Sequence, residues 1–169
     1  MSTATIPPHC SGVGRSLSTI QAKAIVTTFI EAVIAPGVDE AARAMARAMV
    51  AEMHSGYQSL RRELPMNIRR RVELSGVTEQ TRDDIVRILT LWAEARARHG
   101  SSGPYLFGTF GAADIFYAPV VTRFVTYGIG VPGFAQAYME AITEHEWMRE
   151  WTGAAEEEQW VIEQYELVG

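Results

Sequence analysis

The carboxylate of Asp114 is the side chain of this sequence whose surroundings indicate the most definite chemistry. It could act as a catalytic carboxylate, or it could cap a helix. A capping box needs an N-cap residue and, three positions later, a side chain that reaches back to the N-cap amide, and Gly111 and Asp114 have that spacing. Phe110 and Ile115 occupy the two positions of a hydrophobic staple. With the staple beside it, we favour the cap.

Histidine and cysteine give weaker indications of chemistry. The adjacent pair His9 and Cys10 could bind a metal or act as base and nucleophile. Neighbouring side chains rarely face one another, however, and no supporting ligand can be named, so we expect neither a metal site nor a catalytic residue here. His54, His99 and His145 are isolated on separate predicted helices, and we interpret them as surface or helix-end residues.

Five arginines form a basic cluster that could hold an anion or RNA: Arg61, Arg62, Arg69, Arg70 and Arg71. Few aromatic residues are interleaved with them to stack on bases. The chain as a whole has a formal net charge of -5, which argues against a general nucleic-acid binder. We therefore favour a solvated, partly salt-bridged surface and expect no nucleic-acid partner.

The composition is typical of a single globular domain. The chain has 169 residues, of which 47% are apolar and 21% charged, and this length gives room for one hydrophobic core. Its one cysteine permits no internal disulfide, so we expect a cytoplasmic location. No run of 18 apolar residues occurs, and we therefore expect no membrane partner.

The longest helical pattern runs over residues 39–64, with Asp39 as a plausible N-cap. Its apolar residues recur every three or four positions, at Met45, Met49, Met53, Tyr57, Leu60 and Leu64. Two interpretations stay open for this stripe. It could line a pocket for apolar substrates, since methionine adapts to varied shapes, or it could be helix-bundle core, which the pattern alone favours.

Four further helices are predicted after residue 64. Residues 78–99 form a second long helix that ends at Gly100 and begins at Thr78 or at Thr81, with a core face of Ile85, Ile88, Leu89, Trp92 and Ala95. A central helix starts at Gly111, with a predicted apolar face of Ile115, Ala118, Thr122 and Val125. One helix begins at Pro132, with Phe134, Ala137, Tyr138, Ala141 and Ile142, and a short one spans 144–155. The predicted fold is an all-α bundle of five or six helices.

The N-terminal part of the chain has a different composition. Residues 1–19 are rich in Ser, Thr, Pro and Gly and predict a disordered tail, and residues 20–35 could form one short helix. We therefore divide the chain into a leader, 1–38, and a helical domain, 39–169.

The stretch YLFGTFGAADIFYAPVVTRFVTYG, residues 105–128, resembles the loop and sixth helix of the helical C-terminal domain of glutathione S-transferases, bacterial type. That family places Ser or Thr at the N-cap of the box, where this chain has Gly111. The similarity extends through AEMHSGYQSLRRELPMNIRRR, residues 51–71, and EHEWMREW, residues 144–151, and it covers roughly residues 39–169.

The resemblance implies a function that this sequence carries only in part. Complete relatives join the helical domain to a thioredoxin-like domain, which binds the co-substrate glutathione and activates its thiol for transfer to a small electrophile. Residues 1–38 match no part of that domain. We therefore expect a truncated or frame-disrupted member, which by itself binds no glutathione and is inactive. The alternative hypothesis is a non-catalytic helical module for protein–protein interaction.

The resemblance also indicates where a substrate would bind. In the family the pocket lies between the thioredoxin-like domain and the first long helix, which indicates Met53, His54 and Tyr57 as the first candidates. Phe116 and Tyr117, early in the central helix, are the second. The expected ligand is a hydrophobic small-molecule electrophile. Without a covering domain, Met53 and Tyr57 would be exposed, and we expect a homodimer or other self-association.

Overall fold

The computed structural model describes residues 39–161 and confirms the predicted all-α helical bundle over that range. In chain order its elements are α1 (Glu40–Ser55), α2 (Gln58–Glu63), α3 (Glu79–His99), a 3₁₀ turn (Gly100–Ser102), α4 (Ala112–Thr126), α5 (Gly133–Thr143) and α6 (Glu146–Glu157). The predicted tail 1–19, the predicted helix 20–35 and the pair His9 and Cys10 lie outside the described residues. Within the described range, every helix is too short or too polar to cross a membrane.

Helix α4 is the central element of the bundle. It packs against α1 and α5, and its most deeply buried apolar side chains are Tyr117, Val120, Val121 and Phe124. Of the apolar face predicted from helical spacing, Ala118 and Thr122 are buried, Val125 is half-buried against the core, and Ile115 is half-buried. A helix that is surrounded by neighbours buries nearly its whole circumference, so spacing alone could not identify one inner face.

An aromatic cluster around Trp92 joins three helices. The Trp92 ring on α3 is fully buried and packs edge-on against Tyr138 of α5, with ring centroids 4.8 Å apart. It also packs edge-on against Tyr117 of α4 at 5.8 Å, and Phe124 lies 5.7 Å away. Such aromatic pairs stabilise a core beyond the area they bury. The predicted core face of the second long helix is therefore confirmed at Trp92.

The single long helix predicted for residues 39–64 is wrong, because the chain breaks after Ser55 and restarts as α2. Tyr57 lies at the break with a left-handed backbone, φ 59°. The Arg61 side chain donates to the carbonyls of Met53, at 2.5 Å, and Gly56, at 3.2 Å, and so satisfies the end of α1. The apolar stripe continues into the core on both sides of the break, which is why the periodicity does not reveal it.

Helix α3 begins at the earlier of its two predicted starts. Thr78 is the N-cap, and its hydroxyl accepts from the Thr81 amide at 3.3 Å. Glu63 of α2 accepts from the amide and the hydroxyl of Thr78, at 2.9 Å and 2.7 Å, and also from the Thr81 hydroxyl. Burial works against the Glu63 charge, but these hydrogen bonds hold the pKa of its carboxyl below the ordinary value. The acceptor comes from another helix, so the local sequence could not show it.

The two C-terminal helices begin slightly later than predicted. Pro132 is the N-cap of α5, and His145 is the N-cap of α6. Of the apolar residues named for this helix, Phe134 and Ala137 are exposed. Its buried side chains are Ala135, Tyr138, Met139 and Ile142.

The loop before α4 is held by one arginine. Nη1 of Arg96, on α3, donates to the carbonyls of Gly100 at 3.1 Å, Gly103 at 2.6 Å and Tyr105 at 2.5 Å. Gly108 has φ +89°, a left-handed conformation that favours glycine. The loop therefore has one defined path into the central helix.

Candidate functional site

Three of the predicted pocket residues, Met53, Tyr57 and Tyr117, lie in the hydrophobic core where α1 packs against α4. Their exposed fractions are 4%, 6% and 0%. The expectation that Met53 and Tyr57 would form an exposed apolar patch is therefore wrong. The helices of the bundle cover both side chains, so these two residues give no support to the predicted self-association.

A polar network lies beside this junction. The Tyr57 hydroxyl donates to Glu52 Oε1 at 2.8 Å. Arg87, on α3, donates to the same carboxylate through Nε and Nη2, at 2.7 Å and 2.9 Å. Two parallel hydrogen bonds of this kind fix direction as well as distance. The Tyr117 hydroxyl donates to the Met49 carbonyl at 3.4 Å. We call Glu52, Tyr57, Arg87 and Tyr117 the tyrosine–glutamate network.

The charges of this network follow from its geometry. The hydrogen bond from Arg87 holds the pKa of Glu52 below its ordinary value, against the effect of burial. Burial raises the pKa of the Tyr117 phenol to about 12. Burial, the neighbouring Tyr117 and the hydrogen bond to Glu52 raise the pKa of the Tyr57 phenol further. At neutral pH the network therefore holds one carboxylate, one guanidinium and two neutral hydroxyls.

The other two predicted pocket residues lie towards solvent. His54, in the last turn of α1, is exposed. Phe116 is half-buried and packs against the core. The structure thus brings Met53, Tyr57 and Tyr117 together in the core and leaves His54 and Phe116 accessible. The assignment of all five residues to a substrate pocket stays a prediction.

Glu52 and Arg87 were missed by the sequence interpretation. They are 35 positions apart, on α1 and α3. No helical spacing links them, because a pair that meets across two helices leaves no local pattern. Neither residue type nor helical spacing indicates this pair. Only the packing of α1 against α3 brings the two side chains together.

Asp114 has the geometry of a structural carboxylate. It is 1% exposed, and its two oxygens accept from the Gly111 amide at 2.9 Å and the Leu106 amide at 3.2 Å. Gly111 has no side chain, so only the Asp114 arm of a capping box can form. Burial raises the pKa of Asp114 to about 6, although both backbone hydrogen bonds oppose the rise.

Phe110, in the loop before α4, packs against three aromatic side chains. Its ring stacks on His145 with centroids 3.8 Å apart and meets Tyr105 and Trp147 edge-on, at 5.2 Å and 5.5 Å. The loop before α4 is thereby joined to the start of α6. A staple contact between Phe110 and Ile115 stays a prediction.

Members of the basic cluster bind the chain's own backbone. Arg69 donates to the carbonyl of Glu158 at 2.6 Å, and Arg71 donates to that of Ile68 at 3.1 Å. Together with the Arg61 bonds at the end of α1, these contacts use the arginines to hold loops in place. They supply a structural reason for the cluster that needs no RNA.

A cleft of about 300 Å³ lies away from all five predicted pocket residues. It is bounded by the connector between α2 and α3, the second half of α4, the end of α5, and α6. Its lining residues include Ile68, Arg71, Val125, Met148, Arg149 and Glu156. Sequence interpretation did not find this cleft, because its walls come from four separate segments.

Comparison with known proteins identifies one family. Residues 75–156 match the profile described as Glutathione S-transferase, C-terminal domain. This range contains α3, α4 and α5 and nearly all of α6. No curated protein matches the chain.

Proposed function

We propose that the helical domain of this chain, whose residues 75–156 match the C-terminal domain of glutathione S-transferases, forms the apolar wall of a site where a small hydrophobic electrophile accepts the glutathione thiol. We call the solvent-facing part of the α1–α4 junction around the half-buried Phe116 the α1–α4 surface. The half-buried Phe116 ring is the observation that carries the proposal. It offers an apolar face to a ligand while the core holds it in place.

The tyrosine–glutamate network supports this role by making the junction rigid. The bidentate pair of Glu52 and Arg87 ties α1 to α3, and Tyr117 ties α4 to the Met49 carbonyl. A surface that is ordered before binding loses less conformational entropy when a ligand arrives. Phe116 follows Ile115 and precedes Tyr117 in α4, so its backbone is fixed by the same contacts.

The described residues have a binding role rather than a thiol-activating one in this proposal. The transfer forms a carbon–sulphur bond between the thiolate and the electrophilic carbon, while the leaving group departs with its electron pair. Tyr57 and Tyr117 both direct their hydroxyl donors into the protein, to Glu52 and to the Met49 carbonyl. We therefore assign thiolate stabilisation to no residue between 39 and 161.

The test measures binding of a chromogenic chloronitrobenzene to the full chain. Phe116→Ala is expected to weaken binding about tenfold, since part of an aromatic side chain's burial energy is lost. Phe134→Ala is the matched control, because Phe134 is 39% exposed on α5, and it should leave the affinity unchanged. Equal affinities in wild type and Phe116→Ala would refute the α1–α4 surface as the binding wall.

A second titration, with glutathione alone, tests the division of roles. We expect no heat of binding for glutathione, and no conjugation of the chloronitrobenzene by this chain alone. Micromolar glutathione binding would show that the chain contains a thiol-substrate site that the proposal does not include. The two titrations fail independently, because one probes the apolar ligand and the other the tripeptide.

A non-catalytic interaction role is the second candidate function, and one observation favours it. Trp160 is 81% exposed and Val161 is 52% exposed. Arg69 donates to the backbone carbonyls of Glu158 and Trp160 and so holds this segment in place. Exposed apolar side chains of this size promote association. Light scattering should show a dimer that Trp160→Ser converts to a monomer. A wild-type monomer at all concentrations would exclude this candidate.

A further inference from the structure

The imidazole of His145 joins helix α6 to the loop before α4. Its Nδ1 accepts from the Trp147 amide at 3.3 Å and so caps α6. Its ring stacks on Phe110 of the loop, with centroids 3.8 Å apart. We propose that His145 is a pH-sensitive switch, whose protonation releases α6 from this loop while the rest of the bundle stays folded. The proposal does not depend on the transferase role.

The cap exists only with a neutral imidazole. A ring nitrogen that accepts a hydrogen bond carries no proton, so the proton of neutral His145 is on Nε2. When the ring is protonated, both nitrogens become donors, and the Trp147 amide loses its acceptor. The new positive charge also lies at the N-terminus of a helix, where the helix dipole favours negative charge. Protonation therefore removes a stabilising contact from α6 and adds a repulsive one.

Opposing effects decide which form of the ring is present. Burial lowers the pKa of the His145 imidazole, whereas the charge of Glu146 raises it. The stacked face of Phe110 also attracts a cation. Glu144 precedes the ring in sequence, but its carboxylate pairs with Arg149 at 3.8 Å. Burial has the largest effect, so the capping form is present at neutral pH, and the change occurs as the pH falls below 6.5.

Titratable groups on the loop, α4 and α5 complete the surroundings. Tyr105 lies edge-on to the imidazole at 5.9 Å, and burial and the charge of Asp114 raise the pKa of its phenol, which stays neutral. Burial raises the pKa of Asp114 itself to about 6, so a test must separate its titration from that of His145. On α5, the exposed Glu140 accepts from the Gln136 side chain at 3.0 Å.

Helix α6 is the element that loss of this contact can release. Among its 12 residues, Met148 alone is buried, and isolated helices of this length are marginal in water. Its far end stays tethered, because Arg69 donates to the Glu158 carbonyl at 2.6 Å. Loss of the cap therefore opens α6 locally and uncovers Trp147 and Met148, whereas helices with larger buried faces stay folded.

The first experiment measures amide hydrogen exchange of the full chain by NMR, from about pH 8 to about pH 5. After correction for the intrinsic pH dependence of exchange, the protection of the α6 amides, Trp147 included, should fall about tenfold in acid, as expected for a lost helix cap. Amides in the middle of α3 should keep their protection. The Leu106 and Gly111 amides, which bind Asp114, report that carboxylate separately. Equal protection of α6 at both ends of the pH range would overturn the proposal.

The second experiment replaces the titrating cap. His145→Asn and His145→Ser keep an acceptor at the N-cap but do not titrate, so α6 should be equally protected at both ends of the range. His99→Asn is the matched control, because His99 also stacks on a phenylalanine, Phe107 at 5.7 Å, but its side chain caps no helix. It should respond to pH as the wild type does. A wild-type pH response in both His145 variants, or its loss in His99→Asn, would show that His145 is not the switch.

Discussion

Asp114 combines two opposing effects in one side chain. Its oxygens accept from two backbone amides, which favours the carboxylate, yet it is almost completely buried, which favours the acid. Burial has the larger effect, and the pKa rises from 3.8 to about 6. The loop and the central helix are therefore joined by a group that titrates near neutral pH.

We predict that Asp114→Asn removes a pH dependence of stability. Because the folded-state pKa is raised, the stabilising contribution of Asp114 is fully present below pH 3.8 and is lost as the pH rises through about 6. The full effect is on the order of 3 kcal/mol. Chemical denaturation from about pH 4 to about pH 7 should show the wild type losing stability relative to the Asn variant. A constant difference across that range would contradict the raised pKa.

His145 should give the opposite pH dependence. Burial lowers the pKa of its imidazole, and its Nδ1 accepts from the Trp147 amide at 3.3 Å as the cap of α6. The stability it contributes is fully present above pH 6.5 and is lost as the pH falls through the lowered folded-state pKa. His145→Asn keeps a capping acceptor but cannot titrate, so the acid-induced change in tryptophan fluorescence should diminish. An identical fluorescence titration in wild type and variant would rule out this role.

At the residue scale, the sequence indicated contacts that depend on short spacing. The Asp114 arm of the capping box follows from three positions along one chain segment, and the structure has its hydrogen bond to Gly111. The pair of Glu52 and Arg87 does not follow from any spacing, because two helices must first pack before the side chains can meet.

The break between α1 and α2 illustrates the limits of prediction at the scale of elements. Apolar residues keep the helical period from Met45 to Leu64, and the period remains correct for burial on both sides of the break. Backbone conformation at Tyr57 and the capping of Leu60 by Asp84 of α3, at 3.0 Å, depend on tertiary contacts. Element type was therefore predictable, and this boundary was not.

Gly56 tests the packing of that break. A Cβ at Gly56 would lie 2.7 Å from the Glu52 carbonyl oxygen, closer than the backbone can tolerate. We predict that Gly56→Ala lowers the free energy of unfolding by about 1–2 kcal/mol. The control is Gly133→Ala, where an added Cβ meets no atom within 4 Å, and it should change stability by less than about 0.5 kcal/mol. Equal effects of the two variants would show that Gly56 is not sterically required.

Between residues 39 and 161, the bundle is held together by a core that spans its long helices and by a few polar contacts between them. The fold class was predictable, and so was the match of residues 75–156 to the C-terminal domain of glutathione S-transferases, because that pattern extends over several helices. The location of a pocket was not, because Met53, Tyr57 and Tyr117 are inside the bundle and the cleft is formed by segments far apart in sequence.

The contact between Glu52 and Arg87 should contribute measurably to the stability of the whole bundle. We predict a coupling free energy of about 0.5–1 kcal/mol in a double-mutant cycle of Glu52→Gln and Arg87→Gln. The value is modest because the side chains are 34% and 50% exposed. Added salt should reduce it. Coupling that is zero at low salt would mean that the pair does not hold α1 against α3.

The central claim, that apolar electrophiles bind at the α1–α4 surface, is tested most directly by methyl NMR of the full chain with labelled methionines. Met45 and Met53 report on α1, and Met148 reports on the cleft beside α6. We predict that an unreactive nitrobenzene shifts the Met45 and Met53 signals and leaves the Met148 signal unchanged, and that Phe116→Ala abolishes those shifts. A nitrobenzene that shifts Met148 and leaves Met45 and Met53 unchanged would contradict the claim.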